Sequence, residues 1–339
     1  MYDISIEKAD NDDIEKVKIL LREEGLEYDD AEYTAIARLK GEIVGTCSFS
    51  GKVIKCFAVK EKLKGEGISL KLITHITNEM FDRGIYGSFI FTKPLNAQIF
   101  KTMGYRIVHS VDEVALLEGG TFDVKKYTVD MFLNSGLGNE KKAAIVMNCN
   151  PFTLGHRFLI EKASNENEKV VVFIVEEEKS VFPFNIRYNL VKEGVSDLKN
   201  VVVIPGGNYI ISSATFPTYF IKHFDERLSA YTKLDAGIFG KYIAPQFNIV
   251  KRYVGTEPYC KVTSKYNEAL MEVLPNFNIT LELVKRLSKD ERAISASMVR
   301  GLIKEEKIES IRDLVPDVTY NYLISDDAKP IIERIKNGR

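Results

Sequence analysis

Residues 143–156 read AAIVMNCNPFTLGH, an apolar run followed at once by a turn and the start of a helix. The run 143–147 predicts a buried strand, and the residues after the turn predict a helix over 154–165. Gly155 would let a phosphate approach the backbone closely, and His156 would project from the first turn of the helix, where N–H groups are unpaired. By itself the stretch is also compatible with a helix-capping turn and a satisfied histidine.

The alternation continues to the end of the chain. Further strands are predicted at 170–175, 201–204, 249–254 and 278–284, and further helices at 184–194, 264–273 and 295–305. Strands separated by helices of this length indicate βαβ crossovers and a parallel sheet, whose ligands bind beyond the carboxyl ends of the strands. The segments after the strands are therefore expected around one crevice.

The residues before this region predict a separate, mixed α/β unit. A strand is expected at 53–60, an amphipathic helix from Ile68 to Met80, a strand at 88–92 and a helix opened by Pro94. Because the segment 134–139 is small, polar and contains glycine, we place the boundary there. The expected fold class is α/β, with a mixed domain at 1–135 and a parallel-sheet domain at 141–339.

Composition excludes several classes of function. Among 339 residues, 47 Lys and Arg face 48 Asp and Glu, so no global positive field would attract nucleic acid or an anionic membrane surface. The aliphatic run 170–175 is far shorter than the roughly 20 residues that span a bilayer. The acidic N-terminus lacks the features of a signal peptide, and the four cysteines lack metal-ligand spacing. We expect a cytoplasmic protein with reduced thiols.

A second motif, ISASMVR at 294–300, lies at the predicted start of the last of these helices. Ser295 and Ser297 could hold phosphate oxygens there, and Arg300, one turn later, offers a planar fork of donors. Alone, this motif is typical of an N-capped surface helix. Together with NPFTLGH at 150–156, it indicates chemistry at a nucleotide α-phosphate.

The two motifs resemble the HxGH and ISTSxxR signatures of the nucleotidylyltransferase superfamily, with Thr153 at the first histidine and Ala296 at the threonine. The resemblance implies ATP binding. The catalytic candidates are His156, Lys179 and Arg300, which would stabilise negative charge on the transferring and leaving phosphates. Arg187 could contact phosphate or acetate, although a helix-surface ion pair is equally compatible with its position. The other candidate ATP contacts in this domain are Asn150, Thr153, Gly155, Ser295 and Ser297.

Four weaker segments carry the resemblance further: EKSVFPFNIR (178–187), ATFPTYF (214–220), DAGIF (235–239) and VGTEPY (254–259). With both motifs, they resemble the citrate lyase ligase family, along nearly the whole chain. That resemblance implies joining acetate, with ATP, to the thiol of the phosphoribosyl-dephospho-CoA group on the citrate lyase acyl carrier protein. AMP and pyrophosphate would be released through acetyl-adenylate. Mg²⁺ is expected with ATP, but no carboxylate cluster marks a metal site made by the protein.

The first domain resembles the GNAT acetyltransferase fold, through KLKGEG at 62–67 and NAQIFKTMGY at 96–105. Lys62 stands where that fold usually has Gln or Arg, and Gly65 and Gly67 would expose backbone N–H groups at a helix start. The resemblance implies that Lys62, Gly65 and Gly67 bind a CoA-like group. A degenerate fold kept for packing or docking is the alternative.

Two other functions stay open at this point. One is a nucleotidylyltransferase that acts on a phosphate-bearing metabolite, of the pantetheine-phosphate adenylyltransferase type. The other is a regulatory protein that binds ATP and acyl-CoA without turnover. Acetate-dependent exchange of pyrophosphate into ATP distinguishes the three hypotheses.

Overall fold

The computed structural model describes residues 4–176, 180–211, 216, 220–221, 224–256, 261–289 and 292–338. The chain divides into two compact units, 1–127 with 215–234 and 128–214 with 235–339. The segment 215–234, which lies within the second predicted domain, thus belongs to the first unit. Within that unit, Phe216 packs edge-on against Phe91, with ring centroids 5.3 Å apart. The sequence-based limits of 1–135 and 141–339 stay a prediction.

The first unit is built on a mixed seven-stranded sheet, in the order β1-β2-β3-β4-β5-β7-β6. Strands β4 and β5 pair in parallel, and the other neighbours pair antiparallel. Its elements are β1 (Ile4–Lys8), α1 (Asn11–Glu23), β2 (Tyr33–Leu39), β3 (Glu42–Ser50), β4 (Val53–Val59), α2 (Ile68–Asp82), β5 (Gly87–Thr92), α3 (Ala97–Thr102), β6 (Arg106–Ser110) and β7 (Ala115–Gly120).

Helix α2 shows why the pattern predicted this unit correctly. Its buried residues are Ile68, Leu72, Ile73, Ile76 and Met80, the stripe that the helical spacing indicated. That stripe packs on the sheet together with residues of β2, β3 and β4. The predicted strands at 53–60 and 88–92 are β4 and β5. The helix expected after Pro94 begins as a single turn, Pro94–Asn96, before α3.

The second unit alternates strands and helices. Helix α4 (Val124–Ser135) leads into it from the first unit, and α7 belongs in part to each. The elements that follow α4 are β8 (Lys142–Met147), α5 (Leu154–Glu166), β9 (Val170–Ile174), α6 (Phe184–Gly194), β10 (Val201–Pro205), α7 (Phe224–Ile238), α8 (Ala244–Phe247), β11 (Ile249–Gly255), α9 (Lys261–Val273), β12 (Thr280–Val284), β13 (Ser288–Lys289), β14 (Arg292–Ala293), α10 (Ala296–Lys304), α11 (Asp317–Leu323) and α12 (Lys329–Lys336). Short helical turns also occur in both units. Those of the first unit are Glu61–Leu63 and Pro94–Asn96, and those of the second are Phe239–Ile243, Leu274–Phe277, Ile308–Ile311 and Asp326–Ala328.

Five of these strands form one sheet in the order β10-β9-β8-β11-β12, and every pair in it is parallel. The prediction of a parallel sheet is therefore confirmed. The first strand, β8, is central, and the chain crosses from β10 on one side of it to β11 on the other. Ligands of such sheets bind at this reversal, beyond the carboxyl ends of the strands. The turn 148–153 follows β8 at that point.

Side chains alternate between two apolar layers, one on each face of the sheet. In β9, Val170, Val172 and Ile174 pack with residues of α5 and α6. Val171 and Phe173 point the other way, and Phe173 meets Phe247 edge-on with centroids 5.4 Å apart. Because both faces are covered, the strands read as continuous apolar runs.

The last three helices form a further cluster beside the sheet. Val299 and Ile303 of α10 are buried with Leu323 of α11 and Ile331 of α12. This packing fixes the position of α10, whose first turn carries the second motif. Within the described residues, no helix combines the length and the apolarity that crossing a bilayer requires.

Candidate active site

The turn after β8 ends in a capped helix. Thr153 is the N-cap of α5, and its Oγ1 accepts a hydrogen bond from the His156 backbone N–H at 3.4 Å. The hydroxyl therefore satisfies one of the N–H groups that a helix start leaves unpaired. Thr153 itself is 1% exposed. Its predicted contact with ATP is not available to its hydroxyl in this conformation.

The His156 ring is held by contacts at one nitrogen, Nδ1, and along one face. Its Nδ1 accepts from the Thr153 backbone N–H at 3.1 Å and lies 2.9 Å from Thr153 Oγ1. The ring also stacks on Phe152, with centroids 6.2 Å apart. Burial, and then the positive charge of Arg286, lower the pKa of His156 from its usual 6.5 to about 4. At neutral pH the residue is an uncharged imidazole.

The second motif also begins with a cap. Ser295 is the N-cap of α10, and its Oγ accepts from the Met298 backbone N–H at 3.2 Å. The Ser297 hydroxyl lies 3.0 Å from that of Ser295 and is exposed. Two hydroxyls and a helix N-terminus thus form one polar group, as the motif predicted.

The two motifs meet in space. A Cβ placed on Gly155 would lie 2.6 Å from the Ile294 carbonyl oxygen, so only glycine allows this approach. From α10, Arg300 Nη1 donates to the Asn150 carbonyl oxygen. The Asn150 side chain in turn accepts from the Phe182 backbone N–H at 3.0 Å. Partial burial lowers the pKa of Arg300. The helix start of each motif therefore lies beside the other.

Arg187 occupies the interior rather than the surface of this region. It is fully buried, and its Nε donates to the Phe182 carbonyl at 2.9 Å. Its Nη1 donates to the Asn148 carbonyl at 2.6 Å and to the Val175 carbonyl at 2.9 Å. These bonds join the ends of β8 and β9 to the start of α6. In this structure Arg187 holds the loops, and neither of its two predicted uses, a ligand contact or a surface ion pair, matches its position.

Two more residues of the second unit are Lys179 and Cys149. Lys179 lies outside the described residues and stays a prediction. Cys149 is buried in the core beneath the turn, and burial raises the pKa of its thiol. A thiol that stays protonated at neutral pH is a poor nucleophile. Cys149 is therefore a packing residue.

One cation near the site was missed by the sequence analysis. Arg286 lies two residues after the end of β12, and a Cβ placed on Gly255, at the end of β11, would be 3.4 Å from Arg286 Nε. Its charge acts on His156, as the lowered pKa of that residue indicates. The position of Arg286 just beyond a strand end could have identified it, because ligands of parallel sheets bind beyond the carboxyl ends of the strands.

In the first unit, the glycine loop precedes α2 as predicted. Gly65 and Gly67 have φ of +92° and +76°, a left-handed region that favours glycine, and Gly67 is the N-cap of α2. Lys62 is exposed, whereas Lys64 pairs with Glu61. The parallel register of β4 and β5 covers only Val53 with Phe89 and Ile54 with Ile90.

Within the part of the chain that is described, no group of three or more His, Cys, Asp or Glu side chains is placed to hold a metal ion.

The second unit thus combines a parallel sheet with two strand-to-helix motifs that meet at its carboxyl edge, the arrangement that the resemblance to nucleotidylyltransferases implies. The first unit is a mixed seven-stranded sheet with one parallel strand pair. A family model described as the citrate lyase ligase C-terminal domain matches residues 142–323. The chain belongs to the citrate lyase ligase family.

Two curated relatives extend this similarity along the chain. The citrate (pro-3S)-lyase ligase of Escherichia coli (strain K12) is 37% identical over 325 residues, which are 94% of this chain and 92% of the relative. The ligase of the same name from Klebsiella pneumoniae is 35% identical over 316 residues, 91% of this chain and 92% of the relative.

Solved structures are similar over a shorter part. N-acetylglutamate synthase from Neisseria gonorrhoeae has 20% identity and a TM-score of 0.30, covering 35% of each chain. A GNAT acetyltransferase from Staphylococcus aureus Mu50 has 15% identity and a TM-score of 0.31, covering 35% of this chain and 99% of its own.

Proposed function

We propose that this chain is an acid-thiol ligase that uses ATP to acetylate the acyl carrier protein of citrate lyase. The oxygen of acetate attacks the α-phosphorus of ATP, the bond to the β-phosphate breaks, and acetyl-adenylate and pyrophosphate form. The thiolate of the carrier's phosphoribosyl-dephospho-CoA group then attacks the acetyl carbonyl, and AMP leaves. The thiol proton passes to solvent.

The observation that carries this proposal is the junction of the two motifs. Gly155 against Ile294, and Arg300 against Asn150, bring two helix N-termini to one edge of the sheet. Helix N-termini offer N–H groups and positive potential to phosphate oxygens. Activation of a carboxylate by ATP requires stabilisation of negative charge on the α-phosphate and the leaving pyrophosphate. The relatives that carry the ligase name cover the same span of chain.

We assign the individual roles as follows. His156 donates a neutral N–H to the α-phosphate, while Ser295, Ser297 and Gly155 contribute hydroxyl or backbone donors. Arg300 and Arg286 supply positive charge at the pyrophosphate end, with Lys179 as a further candidate. Mg²⁺ would enter with ATP and be held mainly by phosphate and water, because a carboxylate cage is missing from the described residues.

The test is the exchange of labelled pyrophosphate into ATP by the full chain. Exchange that requires acetate supports the ligase. Exchange that requires a phosphate-bearing acceptor supports a nucleotidylyltransferase, and no exchange under either condition supports a binding protein. His156→Gln should reduce the acetate-dependent kcat by about 10²–10³, the usual effect of removing one donor to a developing charge. His109→Gln, on β6 of the first unit, is the matched control and should exchange like wild type.

We further propose that the glycine loop of the first unit guides the CoA-like arm of the carrier. An exposed lysine and a helix N-terminus suit the arm's phosphates. Lys62→Ala should raise the KM for the carrier by about fivefold or less, since an exposed contact contributes about 1 kcal/mol at most. The KM for ATP should not change. Lys52→Ala is the control, because Lys52 lies just before β4 and the glycine loop follows that strand's other end. Equal carrier KM values in both variants would contradict this role.

A further inference from the structure

Thr153 does more than cap a helix. Its Oγ1 accepts a hydrogen bond from the His156 backbone N–H and lies 2.9 Å from His156 Nδ1. The hydroxyl therefore uses both its acceptor and its donor on the same residue. With 1% of its surface exposed, the side chain has no free direction towards a substrate. Its chemistry is therefore confined to the histidine.

The backbone N–H and the hydroxyl of Thr153 together decide which ring nitrogen carries the proton. The Thr153 backbone N–H points at His156 Nδ1 from 3.1 Å, and a backbone N–H can only donate. A proton on Nδ1 would face that N–H and repel it. Nδ1 is thus the acceptor, the Thr153 hydroxyl becomes its second donor, and the proton of the neutral ring lies on Nε2. The flat stacking of Phe152, at an interplanar angle of 16°, restrains the plane of the ring.

Because the His156 imidazole is neutral, its tautomer decides which ring nitrogen can donate a hydrogen bond. An imidazolium would present N–H groups on both nitrogens whatever its neighbours, but the pKa of His156 is lowered to about 4. At neutral pH only one of the two nitrogens can donate. Whether the site has a donor towards a ligand therefore depends on the bonds made by the other nitrogen.

We propose that Thr153 is a positioning residue that holds His156 as the Nε2–H tautomer, with that N–H available to the α-phosphate. The role rests on the proposed ligase function. It replaces a direct ATP contact of Thr153, the role that the motif resemblance implied. The hydroxyl adds the second donor to Nδ1 while it accepts from the His156 backbone N–H.

The experiment compares three full-length variants with wild type. Thr153→Val keeps the shape and the backbone N–H but removes the hydroxyl, and Thr153→Ser restores it. Thr319→Val is the matched control, since Thr319 is fully buried and its Oγ1 has no hydrogen-bond partner among the described residues. Two readouts are used: kcat and KM for acetate-dependent pyrophosphate exchange, and ¹⁵N NMR of histidine-labelled protein, with the His156 signals assigned from His156→Gln.

In wild type at pH 7, we expect the proton on Nε2 and an unprotonated Nδ1. Thr153→Val should lower kcat by about tenfold or more, with the KM for ATP within about twofold. Because Nδ1 then keeps only the backbone donor, the spectrum should show a larger fraction of the Nδ1–H tautomer than wild type. Thr153→Ser should recover kcat to within about threefold of wild type, and Thr319→Val should match wild type in both readouts.

A protonated Nδ1 in wild type, or a Thr153→Val variant with wild-type kcat and spectrum, would overturn the proposal. The wild-type spectrum decides this even if Thr153→Val does not fold. If wild type shows no acetate-dependent exchange, the ligase assignment fails, and the spectra alone decide whether Thr153 holds the tautomer.

Discussion

Gly155→Ala tests whether the close approach of the two motifs matters for catalysis. The new methyl carbon would lie 2.6 Å from the Ile294 carbonyl oxygen, although ordinary contact begins near 3.4 Å. The obstacle is backbone, so either α5 or the 294–300 segment must move by up to about 0.8 Å, the difference between the contact limit of 3.4 Å and 2.6 Å. A displacement near 1 Å in a catalytic arrangement costs on the order of 10²-fold in rate. We therefore expect the kcat of acetate-dependent exchange to fall by about 10- to 100-fold.

The same clash should lower the free energy of unfolding. Overpacking costs about 1–3 kcal/mol, and the better helix propensity of alanine returns up to about 1 kcal/mol. Gly301→Ala is the control, because nothing lies within 4 Å of a Cβ at that helical position. It should stabilise the protein by about 0.4–1 kcal/mol and leave kcat unchanged. If Gly155→Ala matches Gly301→Ala in both urea unfolding and exchange, the contact between the motifs is not required.

Two further predictions concern buried groups of the same unit. Arg187→Met should lower the free energy of unfolding in urea by on the order of 3 kcal/mol or more, because the Phe182, Asn148 and Val175 carbonyls lose a buried donor; a change below about 1 kcal/mol would contradict the positioning role. The pKa of His156 is lowered to about 4 in the folded chain, so the unfolded chain binds the proton first as pH falls and stability is lost from about pH 6.5 downwards. Between pH 7 and pH 5 this should cost wild type about 2 kcal/mol that His156→Gln does not lose, and parallel pH profiles of the two proteins would refute it.

The strands of the second unit could be predicted because both of their faces are buried. Runs such as 170–174 are continuously apolar, and the interruptions between them have the length of crossover helices. The segment 215–234 could not be assigned in the same way. Its membership of the first unit depends on packing such as Phe216 against Phe91, a contact between residues far apart in sequence.

For the site, the sequence located the helix starts but not the use of each side chain. His156, Ser295 and Arg300 follow from motifs whose spacing is local. Whether an arginine binds a ligand or holds a loop depends on burial, which the tertiary fold decides, and Arg187 is fully buried. Arg286 belongs to neither motif, and its relation to His156 arises only when β11 and β12 lie side by side.

The path of the chain through the two units has a consequence for biosynthesis. Residues 215–234 complete the first unit, yet 87 residues of the second unit, 128–214, leave the ribosome before them. Side chains such as Phe216 can therefore pack against the N-terminal sheet only after β8, β9 and β10 have been translated. All seven strands of that sheet have left the ribosome by Gly120, so the late addition is the packing of residues 215–234 and not the sheet itself. A gene cut near codon 140 would therefore leave residues 215–234, which cluster with the first unit, on the downstream piece.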